Sequence, residues 1–371
     1  SSKPKQPHHR LSWEPSMMMP WIPWVGFVFF VLLMMALDLR VLGRSKEGVS
    51  FKLALAWTGV CVLLALAFVP TIYFIYQNGY WGLGLSAPPR VGPDHKLGQV
   101  NGMAAAAFFL QGWLLEYSLS IDNIFVFAVI FRHFKVPPRH QHRVLAWGII
   151  AALILRGIMI GLGAWLISQF HWMLYIAAVF LIYTAWGMVR GHTDFDPSKS
   201  WVLKVARRFF AVTTDFHGDR FFIKQATEAK PRPHLTATPM FLVLIVLNIV
   251  DILFALDSVP AVLGVTTDPF IVFTSNVFAL LGLRSLYFVL AGMMHKFKYL
   301  NVSLAVILAF VGVKMLIAHP IHAIGFGGVH ISPPMSLVVI VVALALGVVF
   351  SLRAKADTHD APAPLDEPPA A

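Results

Sequence analysis

The sequence predicts an all-α, polytopic transmembrane helix bundle, and three observations predict it. Asp, Glu, Lys and Arg make up 13% of the 371 residues while the AVILMFWYC set makes up 58%; a typical soluble domain is nearer about 25% charged and about 45–50% apolar. The apolar residues gather in runs of about 20, long enough to cross a hydrocarbon layer roughly 30 Å thick. Lys and Arg then concentrate in alternate loops, as the positive-inside bias requires. This pattern excludes soluble enzymes, disulfide scaffolds and disordered chains. It also excludes outer-membrane barrels, which need alternating segments of about ten residues.

Nine spans follow in order: 20–38, 53–76, 102–131, 144–168, 172–190, 239–264, 270–294, 301–318 and 336–352. The opening stretch SSKPKQPHHRLSWEPS is polar and precedes no small-residue cleavage site, so a cleavable signal peptide is not expected. Loops 39–52, 132–143, 190–238, 295–300 and the tail from 353 together hold 21 Lys and Arg, against two in the loops on the other side. The N-terminus is therefore expected outside and the C-terminus in the cytoplasm of a bacterial inner (plasma) membrane. The net charge of +11 reads as this bias, with the lipid bilayer and not nucleic acid as the partner. A lone cysteine, Cys61, can form no internal disulfide and no thiolate metal cluster.

The organisation divides accordingly. Residues 1–101 are an N-terminal tail and two peripheral spans. Residues 102–190 are a first three-helix repeat, 191–238 a cytoplasmic loop, 239–319 a second three-helix repeat and 320–352 the last span. Residues 353–371 form a Pro-rich tail of disordered composition. In the loop, KSWVLKVARRFFAV sets Trp201, Val202, Val205, Phe209 and Phe210 against Lys199, Lys204, Arg207 and Arg208. That is a basic amphipathic helix, lying either on the inner leaflet or packed beneath the bundle.

Two spans carry acids where lipid penalises them. LLEYSLSIDNIFVFAVIF holds Glu116 and Asp122, and LNIVDILFALDSVPAVLG holds Asp251 and Asp257. In each, the acids stand six residues apart and a small polar residue follows the second, Asn123 in one and Ser258 in the other. A lone arginine follows in the next span of each, Arg156 and Arg284, where pairing with these acids is the expected role. The first motif runs outside to inside and the second inside to outside, so spans 3–5 and 6–8 form an inverted repeat. Such repeats are the plan of secondary transporters, with the site near the midplane. An acid at a helix centre costs roughly 2.5–3.5 kcal/mol on the insertion scale, so each must meet another polar group, an arginine or a cation.

Residues six apart on a helix differ by about 240°. Either the site lies deep in a ring of helices or the helix breaks. Pro260, three residues past Asp257, frees the carbonyl of Leu256 and is the place for a break. The candidate donors are Glu116, Ser118, Ser120, Asp122, Asn123, Asp251, Asp257 and Ser258, with Asp38 and Asn276 further out. All are hard oxygen ligands, suited to Mn²⁺, Ca²⁺ or Mg²⁺ over copper or zinc.

At these residues the chain resembles the TerC family of integral membrane proteins, associated with tellurite resistance and manganese export. The resembling blocks include EYSLSIDNIFVFAVIF, FKVPPRHQHRVLAWGIIAALILRG, HWMLYIAAVFLIYTAWGM, RFFAVTTDFHGDRFFIK and the long run from DILFALDSVPAVLG to HKFKYL. They cover most of 102–319, and the first span with Asp38 also fits. The resemblance implies a bundle of seven to nine helices and divalent-metal efflux, chiefly of manganese. Carried over by position, its acidic motif falls on Glu116, Asp122, Asn123, Asp251, Asp257 and Ser258. Where the family pattern has an acid and a threonine before the second motif, this chain has Asn248 and Val250.

The expectation is a secondary exporter of a divalent cation, not an enzyme, with the cation as cargo and no permanently bound cofactor. Protons competing for Asp122 and Asp257 would make transport pH-sensitive. The alternative is a non-transporting membrane partner that assists metal loading or scaffolding of secreted proteins. An intramembrane aspartyl protease would need a Gly-x-Gly-Asp setting within a span; the nearest, GLGL at 82–85, lacks the Asp. An ATP-driven pump would need a G-x-x-x-x-G-K-[ST] loop, which the sequence lacks.

Overall fold

The computed structural model describes residues 21–42, 49–84, 100–170, 172–190, 220–227, 230–290, 300–318 and 331–353. Ten α-helices occupy almost all of them: α1 (Trp21–Leu42), α2 (Phe51–Gln77), α3 (Gly102–His133), α4 (Pro138–Gln169), α5 (Met173–Val189), α6 (Pro239–Val265), α7 (Pro269–Leu281), α8 (Leu283–Leu290), α9 (Leu300–Ala318) and α10 (Pro333–Arg353). Six of these are long and apolar enough to cross a membrane. The pair α7–α8, bent by 40° at Gly282, makes a seventh candidate, and α5 and α9 are shorter apolar helices. Within the span expected over 270–294, the described residues are thus bent at Gly282.

Local chemistry sets the helix starts. Asn101 caps α3, its side-chain oxygen accepting the Ala104 N–H at 2.8 Å. Asp268 caps α7, accepting the N–H groups of Phe270 and Ile271 at 3.0 and 3.2 Å. Pro138, Pro239 and Pro269 stand in the first helical positions, where a missing N–H leaves no bond unmade.

Helix α3 is the hub. In its most apolar stretch 62% of residues are buried, against 22% in α2 and α10. It packs on α2, α6, α7 and α10, while α4 lies on α6 and α5 on α9. The crossing of α3 and α7 is close because Gly112 faces Ser275: a Cβ there would lie 2.7 Å from the serine Oγ. Small residues at crossings are how helices approach in lipid, where apolar surface alone supplies no drive to associate. Apolar side chains such as Phe29, Leu63 and Phe350 project outward and are exposed.

Among the described residues the buried apolar side chains form two clusters, with Tyr117 and Leu153 packed against both. One holds Phe109, Leu115, Ile160, Ala255 and Val277; the other holds Ile124, Ile149, Val250 and Leu283. Between them, α3, α4, α6 and α7 contribute buried polar side chains.

The segment expected as a loop with an amphipathic helix contains a two-stranded antiparallel hairpin, β1 (Phe222–Thr227) and β2 (Lys230–Ala237). Residues 199–210 lie outside the described residues. Pro231 and Pro233 fall within β2. They are tolerated because both strands of a two-stranded sheet are edge strands. Thr238 closes the hairpin onto α6, its hydroxyl donating to the Arg220 and Phe221 carbonyls at 2.8 and 3.1 Å.

Candidate functional site

Glu116 of α3, Arg156 of α4 and Asp251 of α6 form a closed triad. Their exposures are 0%, 1% and 3%. The guanidinium donates to both Asp251 oxygens, from Nη2 at 2.9 Å and from Nε at 3.2 Å. Its Nη1 pairs with Glu116 and approaches the side-chain oxygen of Asn276 on α7 at 3.5 Å. Each triad residue lies within about three residues of the middle of its helix, so the triad occupies the layer between the two apolar clusters.

This arrangement follows from sequence and geometry together. A planar guanidinium with five donors can serve two carboxylates at once, which an ammonium on a flexible stem does less well. Two carboxylates, one from α3 and one from α6, thus share a single guanidinium.

The other candidate donors divide into distinct places. Ser120 and Ser258 are buried, and their hydroxyls have no hydrogen-bond partner. Asn123 is buried on α3. Ser118 bonds back to the Leu114 carbonyl of its own helix. The backbone of Asp122 belongs to α3, but its side chain lies outside the described residues. Asp257 does not join the triad. It is partly buried and accepts the Thr184 hydroxyl of α5 at 3.2 Å. Helix α6 runs unbroken through Pro260, so the expected break is not there, and Asp257, about 240° round the helix from Asp251, meets α5 and not the triad.

Asp38 also stands apart. It accepts Arg284 Nη1 of α8 at 3.0 Å and the Trp57 indole N–H of α2 at 2.7 Å. Among the described residues no three His, Cys, Asp or Glu side chains lie together as a metal-binding group. The three motif acids whose side chains are described, Glu116, Asp251 and Asp257, therefore do not assemble into one cluster. Thr184 and Trp57 are polar partners that pattern reading missed. Their signal was faint, a single hydroxyl and a single indole inside otherwise apolar runs. Asn248 bonds back to the Leu244 carbonyl at 2.8 Å and takes no part in the triad.

The comparisons with known proteins agree with the sequence motifs. The family model described as the integral membrane protein TerC family matches residues 101–359. The chain belongs to the TerC family. Relatives of this TerC chain are found across bacteria and a plant. The membrane protein STKORF319 of Myxococcus xanthus is 42% identical over 334 residues, 89% of this chain and 92% of the relative. The protein Alx of Escherichia coli, named as a proposed membrane-bound redox modulator, is 39% identical over 326 residues, 86% of this chain and 88% of the relative. The chloroplast thylakoid membrane protein TERC of Arabidopsis thaliana is 41% identical over 281 residues, 76% of this chain and 70% of the relative. No solved structure matches the chain.

Proposed function

We propose that this protein is a secondary transporter that exports a divalent cation, Mn²⁺ foremost, across a bacterial inner membrane. The observation that carries the reading is the triad: carboxylates from the two halves of the chain, buried at mid-helix, share one guanidinium. Ionisable groups at the bilayer centre are costly and mark ion pathways, and here two acids share a single arginine.

Arg156 is then a tethered stand-in for the cargo. A cation reaches Glu116 and Asp251 by displacing the guanidinium, and Ser120, Asn123 and Ser258 offer further oxygens nearby in sequence on the same helices. Asp122 and Asp257 supply the remaining carboxylates as the site rearranges. The packing of α4 on α6 and of α3 on α7, with α5 against α9, is what an exchange of two inverted three-helix halves requires, and it supports rocking between them. The redox wording attached to Alx has little to act on here, since one buried cysteine cannot form a dithiol couple.

The test is Mn²⁺ flux into proteoliposomes. Glu116→Gln, Asp251→Asn and Asp257→Asn should each abolish it. Undiminished flux in all three removes the proposal and favours the non-transporting membrane partner.

A further inference from the structure

We propose that Asp38 and Arg284 form a gate between the midplane triad and the membrane face at which α1 ends. This rests on the transport reading and adds to it a second, separate polar station on the same route.

The two stations are stacked along the bundle. Helices α4 and α7–α8 run antiparallel, because Arg156 meets Asn276 while Gln141 accepts the Tyr287 hydroxyl at 2.9 Å. Moving back along α4 from Arg156 leads to Ile149 and Ala146. Moving forward along α7–α8 from Asn276 leads to Leu281 and Arg284. These four residues, with Met35 and Asp38 of α1, line one cavity of about 20 Å³, room for about one water. The cavity therefore lies roughly 10–15 Å from the triad at 1.5 Å per residue, toward one face only.

The chemistry of its wall is that of a latch. Arg284 is 1% exposed, and its Nε has no hydrogen-bond partner. Asp38 is held by Arg284 and Trp57, and it ties the end of α1 to α8 and α2. Arg284 is the second residue of α8, just past the 40° break at Gly282, so α8 is a short lever whose one charged residue is the latch. With the pair closed, the guanidinium neutralises Asp38 and bars a cation. With it open, the Asp38 carboxylate is the first ligand a hydrated divalent cation meets.

The protein carries its own reporter. Cys61, its sole cysteine, is buried and lies 3.8 Å from the Leu281 carbonyl, beside the cavity wall. The experiment is modification of Cys61 in proteoliposomes by a charged methanethiosulfonate, which forms a mixed disulfide with the thiol and releases methanesulfinate, run alongside Mn²⁺ flux. The double variant Asp38→Asn/Arg284→Gln removes both charges and orphans neither; it should label about tenfold faster than wild type. Asp38→Glu, which keeps the pair, should label at the wild-type rate. In the unsubstituted protein, Mn²⁺ should accelerate labelling several-fold as the gate cycles. Wild-type flux with no acceleration, by Mn²⁺ or by the double variant, overturns the gate and leaves the triad untouched. A wild-type protein that passes no Mn²⁺ overturns the transport reading itself and the gate with it.

Discussion

Arg156 and Asp251 meet edge to edge across the α4–α6 interface, Nη2 and Nε on one side and both carboxylate oxygens on the other, at 2.9 and 3.2 Å. This fork joins the first half of the chain to the second, and Glu116 completes it from α3. Several consequences can be measured.

Replacing Arg156 with Met leaves two buried carboxylates without their cation. Orphaning a buried ion pair costs about 3–5 kcal/mol, so the detergent-solubilised variant should unfold at a clearly lower temperature. If the guanidinium stands in for cargo, Mn²⁺ should restore part of the loss. A ligand at a hundred times its dissociation constant adds about 2.7 kcal/mol, and the wild-type protein should gain less. Thermal melts with and without Mn²⁺ decide this; equal gains in both proteins count against the stand-in role.

Asp257 separates function from stability. Its bond from Thr184 is at 3.2 Å, and among the described residues no arginine pairs with it. Asp257→Asn should therefore shift stability by no more than about 1 kcal/mol while stopping Mn²⁺ flux. Asp251→Asn should lose both, because it breaks the two-pronged ion pair with Arg156. A melting curve and a flux assay on the two variants form the comparison.

Helix crossings should report the difference between rigid and yielding neighbours. A Cβ on Gly312 would stand 2.8 Å from the backbone carbonyl of Ala178, forcing α9 away from α5. On Gly264 it would meet the flexible end of Met315, which can turn aside. Gly312→Ala should cost about 1–3 kcal/mol and Gly264→Ala distinctly less, as read by unfolding in detergent.

The cap of α7 gives a fourth test. Asp268→Ala removes the acceptor for two N–H groups and should destabilise by about 0.5–2 kcal/mol. Asp268→Ser, another good cap, should recover most of that in the same unfolding measurement.

Composition and apolar run length by themselves determined a helical membrane protein, because only hydrogen-bonded helices of sufficient length satisfy their backbone in lipid. The spacing of Glu116, Asp251, Arg156 and Arg284 likewise told that acids and arginines would meet, since none of them is tolerable alone in hydrocarbon. Which acid meets which arginine was decided by the tertiary structure. Arg284 goes to Asp38, 246 residues away, and Arg156 gathers acids from both halves, because partner choice depends on how α1, α4, α6 and α8 are placed around α3 and not on intervals along the chain. The break at Gly282 and the hairpin at 222–237 were invisible for a related reason: the first lies inside a continuous apolar run, and the second carries prolines that only an edge strand admits.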